Sequence, residues 1–310
     1  MITAQLNTVV RYEDLERLGT IISGAQPELE GNPVSNPGVF NGREGYDPDF
    51  IEGWPIALPK AVGVKAVDML PLRGTQDVEL KYMHFSVIMS KSRKLPMLTA
   101  TNVNGGESKK LGRYDKWYLD GRIEAHQQWG NELYLNNRLD RGHMVRREDP
   151  VWGADAATAN SDTFHYTNCC PQMDVFNQQT WLGLENYILQ NARVNKLSIS
   201  VFTGPFFGHN DMTYNGARIP NGYWKVVAFL KEDGTPSATA YKISQEKELT
   251  ELEFAYGPYR TFQISIREVV DNTGIDFSSL ERYDGFTQQE LESASDGLKR
   301  EIRDLNDILL

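Results

Sequence analysis

"NNRLDRGHMVRR", Asn136 to Arg147, is the stretch on which the reading of this chain turns. It sets Asp140, Arg141, Gly142 and His143 side by side: an acid, a permanent cation, a glycine and an imidazole. An imidazole with an ordinary pKa near 6.5 is available as a base at neutral pH. Asp140 can accept a hydrogen bond and hold local geometry. Arg141 can meet a phosphate, and Gly142 permits a close approach of backbone or substrate. Taken alone, a histidine is more often structural than catalytic, so the neighbours and the rest of the chain have to carry the reading.

The wider composition sets limits. The chain has 310 residues, 40% hydrophobic and 24% charged, with a formal net charge of −10. That suffices for a substantial core in one large domain or two ordinary ones. No apolar run approaches the roughly 18 residues of a membrane span, so no membrane partner is expected. The opening "MITAQLNTVVRYEDLERLG" has no basic stretch followed by a long apolar one. With Met1 as the start, this predicts a cytoplasmic protein, secretion by a signal-independent route staying open. The two cysteines, Cys169 and Cys170, are adjacent. They cannot staple distant segments or build a zinc site by themselves, and are expected to be small buried thiols.

A net charge of −10 argues against a general affinity for nucleic acid, which normally comes from Lys and Arg neutralising phosphates. The charge is uneven, however. "KSRK" (Lys91 to Lys94), "KKLGR" (Lys109 to Arg113) and "RGHMVRR" (Arg141 to Arg147) are basic islands. The acidic excess lies at Glu13 to Glu30, Glu246 to Glu253 and beyond Glu281. A basic cleft on an acidic body is the functional reading, and a solvated charged face the bland one.

Along the chain, "YEDLERLGTIIS" predicts a helix and "GNPVSNPGVFNGREGYDPDFI" an irregular, wrapping segment, together an extension over residues 1–63. From about Val64 the pattern turns to strands: "HFSVIMS", "LSISVFTGPFF", "YWKVVAFLK", "ATAYKIS" and "FQISI", with "KEDGTPS" as a hairpin turn. In "VFNQQTWLGLENYILQNA" (Val175 to Ala192) Trp181, Leu184, Tyr187 and Ile188 recur at helical spacing. "TQQELESASDGLKREIRDLNDILL" is amphipathic and predicts a helix or pair of helices closing a segment over 279–310. The fold expected is α+β, a central mostly antiparallel sheet flanked by helices. Within the predicted helix Asn177 and Glu185 lie eight residues apart, about 80° around and roughly 12 Å along the axis. They do not readily grip one small ion together. A Mg²⁺ ion keeps several waters and needs only one or two protein ligands. Asn177 as direct ligand with Glu185 orienting bound water is one reading; a helix cap and a surface charge is the other.

"LDRGHMVR", "TFHYTNCCPQ" and "FNQQTWLGLENY", in that order, resemble the DNA/RNA non-specific endonucleases, the ββα-metal, endonuclease G-like nucleases. The family's D-R-G-H is intact at Asp140 to His143. Its N-x-x-P-Q element is matched by Asn168, Pro171 and Gln172, and its helix motif by Asn177, Gln178, Trp181, Leu184 and Glu185. "RYDKWYLDGRI" resembles the upstream segment with a phosphate-binding arginine, here Arg113. "VFTGPFF", "IPNGYWKVV" and "NTGIDF" resemble later strands and the closing segment. The likeness spans residues 64–278. It departs from the usual pattern at Met144 to Arg147 and at Gln179, beside the base and in the helix.

The resemblance implies a ββα-metal (His-Me finger) motif and a metal-dependent endonuclease without sequence preference, leaving 5′-phosphate ends on DNA or RNA. His143 would be the general base and Asn177 the ligand of Mg²⁺, with Mn²⁺ as substitute. Glu185 would act through metal-bound water, and Asp140 would support the base. Arg113 and Arg141 would clamp phosphate, with Arg146 and Gln178 as further substrate contacts. A homodimer is compatible with the family. A nuclease held in the cytoplasm would need restraint, by an inhibitor, oligomerisation or a partner, as in a defence or toxin effector, with the terminal segments as candidates. The competing reading is a catalytically silent nucleic-acid-binding or sensory module on the same fold, against which the intact His143, Asn177, Glu185 and Arg113 weigh.

Overall fold

Nearly continuous buried runs build the centre of this protein, because successive side chains of each central strand point to two faces that are both packed. The structure is a computed structural model that describes residues 31–173, 180–245, 261–286 and 300–302. Among them are β1 (Glu79–Tyr82), β2 (Phe85–Met89), β3 (Pro96–Asn104), β4 (Leu139–His143), β5 (Cys169–Met173), β6 (Ser198–Pro205), β7 (Gly222–Leu230), β8 (Pro236–Ser244), β9 (Thr261–Ile264) and β10 (Arg300–Ile302). The main helices are α1 (Ala156–Asp162), α2 (Thr180–Asn195), α3 (Ile266–Thr273) and α4 (Ser278–Glu281).

Eight of the strands form one sheet in the order β10-β9-β8-β7-β6-β3-β2-β1, antiparallel throughout. Strands β4 and β5 stand apart as a two-stranded ribbon. The expected α+β architecture is thus observed, and the β7–β8 connection is the expected hairpin, with Gly234 at φ 80° in its turn. Strand β3, in the middle of the sheet, was not among the strands anticipated from the pattern. Its "PMLTATNVN" is almost wholly buried and lacks the polar face that marks a half-exposed strand.

Alternation along β7 separates two cores. Trp224, Val226 and Ala228 join Phe202, Ala100 and Ala240 against α3 and α4, with Ile266, Val269 and Leu280 among the partners. Tyr223 and Val227 join Ile199, Val201 and Tyr241 on the opposite face. There they meet Leu189 and Ala192 of α2 and Cys169, Cys170 and Met173 of the ribbon. The ribbon and α2 therefore share the sheet face that carries Tyr223, Lys225 and Val227. The segment read as wrapping does enter the body: Tyr46, Ile51, Trp54 and Ile56 are buried in the α3/α4 core, and Phe40 packs near the β1–β2 end.

Two expectations need correction. Helix α3 was not anticipated, although its signals are present: Ser265 caps it by accepting from the Glu268 amide, and Gly274 closes it at φ 67°. The amphipathic C-terminal spacing predicted helix, yet Arg300–Ile302 is a strand paired with Thr261–Gln263. An edge strand leaves backbone donors and acceptors open, and extended pairing there satisfies more of them than a helical turn would. The predicted helix over residues 12–23 and the remainder of the C-terminal segment lie outside the described residues. Among the described residues no helix is long and apolar enough to cross a membrane.

The C-terminal end of α2 closes on Gly105: a Cβ built there would overlap the Ala192 carbonyl. That contact is with backbone, which cannot rotate aside. Gly105→Ala is expected to cost at least about 3 kcal/mol, a fall in Tm on the order of 10 °C for a domain of this size. Circular-dichroism melts test this, and an unchanged Tm would show that α2 is not seated there.

Candidate active site

The motif Asp140-Arg141-Gly142-His143 forms most of β4, and its register against β5 is fixed residue by residue. Asp140 lies opposite Gln172, Arg141 opposite Pro171, Gly142 opposite Cys170 and His143 opposite Cys169. Successive side chains leave a strand on opposite faces, so Arg141 and His143 share one face while Asp140 and Gly142 share the other. The close approach predicted for Gly142 is to the protein's own Gln172, whose side chain would overlap a Cβ at that position. Beyond β4 the side chain of Asn168 holds the chain: its Oδ1 accepts from the Val145 amide at 2.8 Å, and its Nδ2 donates to the carbonyls of Val145 and Thr163. Cys169 and Cys170 are buried free thiols, as expected; burial pushes Cys169 up to about 12, so it stays protonated.

The His143 ring sits 4.7 Å from Trp117 and 5.2 Å, edge-on, from Phe164. Its Nε2 is sealed from solvent and makes no hydrogen bond among the described residues. Burial pushes its pKa down to about 3, helped by the positive charges of Arg113 and Arg147. At neutral pH the imidazole is therefore uncharged and holds an unshared nitrogen, the form required of a proton acceptor. Arg141 lies over Trp117, its guanidinium carbon 5.8 Å from the ring centre, so Trp117 is a shared floor for both residues of that face.

The other predicted cations take different positions. Arg113 is exposed, with 59% of its side chain accessible, and is paired to Asp115 at 2.6 Å. Arg146 is turned toward α2, donating to the Glu185 carbonyl at 2.8 Å and to Asn186 Oδ1 at 2.6 Å. It fastens the motif to the helix. Arg147 donates to the Leu111 carbonyl and to Asn160, tying the basic loop around Lys109 to Arg113 to helix α1. From Arg146 a cleft of about 390 Å³ runs along α2, lined by Lys110, Glu148, Asn186, Gln190 and Arg193. The island Lys91 to Lys94 is only partly a surface feature, since Arg93 is buried against Asp211 at 2.6 Å.

Glu185 is buried rather than displayed on the helix surface. Lys225 Nζ stands 3.3 Å from its Oε1 and Arg146 Nε 4.0 Å from its Oε2. Oε1 nonetheless has no hydrogen bond among the described residues. Asp149, also buried, has its carboxyl pushed up to about 6 by burial, with Glu185 and Glu148 adding to the rise and Arg146 and Lys225 opposing it. Asn177 and Gln178 lie outside the described residues, so the direct metal ligand inferred from sequence is not among the positions seen. Among the described residues no three His, Cys, Asp or Glu side chains gather as a metal cage. A mostly hydrated divalent ion needs no such cage, and a buried carboxylate such as Glu185, whose Oε1 lacks a hydrogen bond among the described residues, suits the water shell of one.

Three residues of this neighbourhood were not singled out in the sequence: Trp117, Asp149 and Lys225. Lys225 had a local signal, a lone cation between Trp224 and Val226 in a run that otherwise reads as core strand. The other two had none that spacing alone reveals.

The profile of the DNA/RNA non-specific endonucleases matches residues 68–284. An uncharacterised protein, y4fB, of Sinorhizobium fredii is 38% identical over 264 residues, covering 77% of this chain and 39% of that protein. Mitochondrial endonuclease G of Bos taurus is 27% identical over 137 residues, 40% of this chain and 44% of its own length. The chain thus spans about two fifths of the length of these curated relatives. In three dimensions it resembles a structure described as an EndoG/EndoGI complex, with a TM-score of 0.52 and 19% identity, over 65% of this chain and 85% of that one. That likeness concerns the fold.

The depressed pKa of His143 has a signed consequence. Between about pH 6.5 and 3 the unfolded chain binds a proton at this position and the folded chain does not, so stability falls as pH falls through that window. A limiting slope of about 1.4 kcal/mol per pH unit follows. His143→Ala should therefore lose less stability than the parent between pH 6.5 and 4. Urea titrations at both values test this, and parallel losses would show that the ring is protonated in the folded state.

Proposed function

Because this chain belongs to the DNA/RNA non-specific endonuclease family, we propose that it hydrolyses phosphodiester bonds in DNA or RNA without sequence preference, leaving 5′-phosphate ends. The observation that carries the reading is the uncharged His143, its Nε2 unshared, with Arg113 and Arg147 close enough to depress its pKa. In this reading His143 accepts a proton from the attacking water. Free in the protein, an imidazole held near pKa 3 is a weak base. A phosphodiester anion bound beside it offsets the arginines' share of that depression, the smaller share beside desolvation, and so raises its basicity.

Arg113 is exposed, and exchanging Asp115 for a phosphate oxygen costs it little, since exposed ion pairs are weak. Arg141, on the same face as His143, is the second phosphate clamp. Lys110 and Arg193 along the α2 cleft extend the positive surface for the neighbouring strand. These contacts address phosphate rather than base edges, which fits a non-specific enzyme. Asn177, with Glu185 acting through bound water, would hold Mg²⁺ or Mn²⁺, which supplies charge neutralisation at the phosphate and at the leaving oxygen. Restraint of such an activity in its host, by an inhibitor, a partner or self-association, is part of the same proposal.

Purified full-length protein incubated with supercoiled plasmid and with RNA should nick and degrade both in Mg²⁺ and do neither in EDTA. His143→Ala should lose roughly 10²- to 10⁴-fold in rate with its fold intact. Metal-independent cleavage, or full activity of the variant, would overturn the assignment. Binding without cleavage under every metal condition would instead favour a silent nucleic-acid-binding module. Asn177→Ala should lose the Mg²⁺ response, and an unchanged response would remove it as ligand.

A further inference from the structure

We propose that Lys225, on the central sheet, is a positioning residue for Glu185 and through it for the divalent ion. The inference rests on the nuclease reading for its meaning, but its geometry is independent of that reading. Lys225 is 1% exposed, between Tyr223 and Val227 on the sheet face that packs against α2. Burying an ammonium group is costly unless it is paired and hydrogen-bonded. Here Nζ donates to Thr203 Oγ1 at 2.9 Å and stands 3.3 Å from Glu185 Oε1. Thr203 is the residue directly opposite Lys225 across β6 and β7, so the donor is fixed by sheet register rather than by a flexible loop.

Glu185 is thereby held from two sides that differ in origin. Arg146, from the segment that follows His143, bonds the Glu185 main-chain carbonyl and approaches Oε2. Lys225, from the sheet, faces Oε1. The main-chain contact ties the helix to the ribbon that carries the base, and the Lys225 contact sets where the carboxylate points. Without Lys225, the cation left to the carboxylate among the described residues is the more distant Arg146, with the buried Asp149 repelling it. Outer partners that orient a metal's ligands commonly contribute 10- to 100-fold in metal affinity or activity.

The test uses Mn²⁺ alone as probe, followed by electron paramagnetic resonance on full-length protein carrying His143→Ala, so that binding is read without turnover. Adding Lys225→Met should weaken Mn²⁺ binding at least about tenfold, and Lys225→Arg should recover most of it. Glu185→Gln should weaken binding similarly, and Glu185→Gln/Lys225→Met should be no weaker than Glu185→Gln alone, since one residue acts through the other. Melting curves report whether each variant is folded. If Lys225→Met alone does not fold, the comparison of Glu185→Gln with the doubly neutral variant decides. Unchanged or tighter Mn²⁺ binding in folded Lys225→Met, a further tenfold loss in the double variant, or no Mn²⁺ binding in the parent would overturn the proposal. An absence of cleavage in the wild type with this coupling intact would sink the nuclease reading and leave Lys225 as the keeper of Glu185.

Discussion

The pairing of β4 with β5 is the constraint on which the rest of the site depends. A one-residue slip in an antiparallel ribbon would exchange its faces, putting Asp140 and Gly142 where Arg141 and His143 stand. Two features of this chain hold the register. Gly142 admits the Gln172 side chain at a point where any Cβ would collide. Asn168, just before β5, binds the main chain of Val145 in both directions, just beyond His143. The placement of His143 is therefore set by Gly142, Gln172 and Asn168.

Around that ribbon the protein manages charge by burial. His143 is kept neutral by desolvation and by nearby arginines, whereas Glu185 is kept in company with cations from two separate elements. These are opposite solutions for two buried groups. They follow from what each packs against: Trp117 and Phe164 around the imidazole, Lys225 and Arg146 around the carboxylate. A chain of net charge −10 can thus still place Lys110, Arg146 and Arg193 along one cleft beside Glu148, Arg146 being fastened by the Glu185 main-chain carbonyl and Arg193 by Glu148.

Much of the fold was legible because short β-rich runs bounded by turn residues declare themselves. The β7–β8 hairpin did so through a polar turn with glycine. β3 did not: it is buried as fully as β2 and β7, but Pro96, Thr99, Thr101, Asn102 and Asn104 break up its apolar run. α3 is short, and the pattern of "FQISI" ran on into its first residue, masking the capping serine. The C-terminal segment shows the reverse error: amphipathic spacing is a local preference, and the open edge of β9 overruled it for Arg300–Ile302.

By itself the sequence determined the chemistry on offer: an imidazole within a run of cations, a helix bearing Glu185, two thiols unable to cross-link anything, and an antiparallel α+β scaffold. Motif order carries such information because residue type and strand or helix period are local properties. Only the tertiary structure decided the states of those groups. That His143 is neutral, that Arg146 faces α2, that Gly142 makes room for Gln172 and that Lys225 reaches Glu185 all depend on elements distant in sequence. Desolvation and ion pairing act through space, at distances of a few ångströms that no spacing along the chain records.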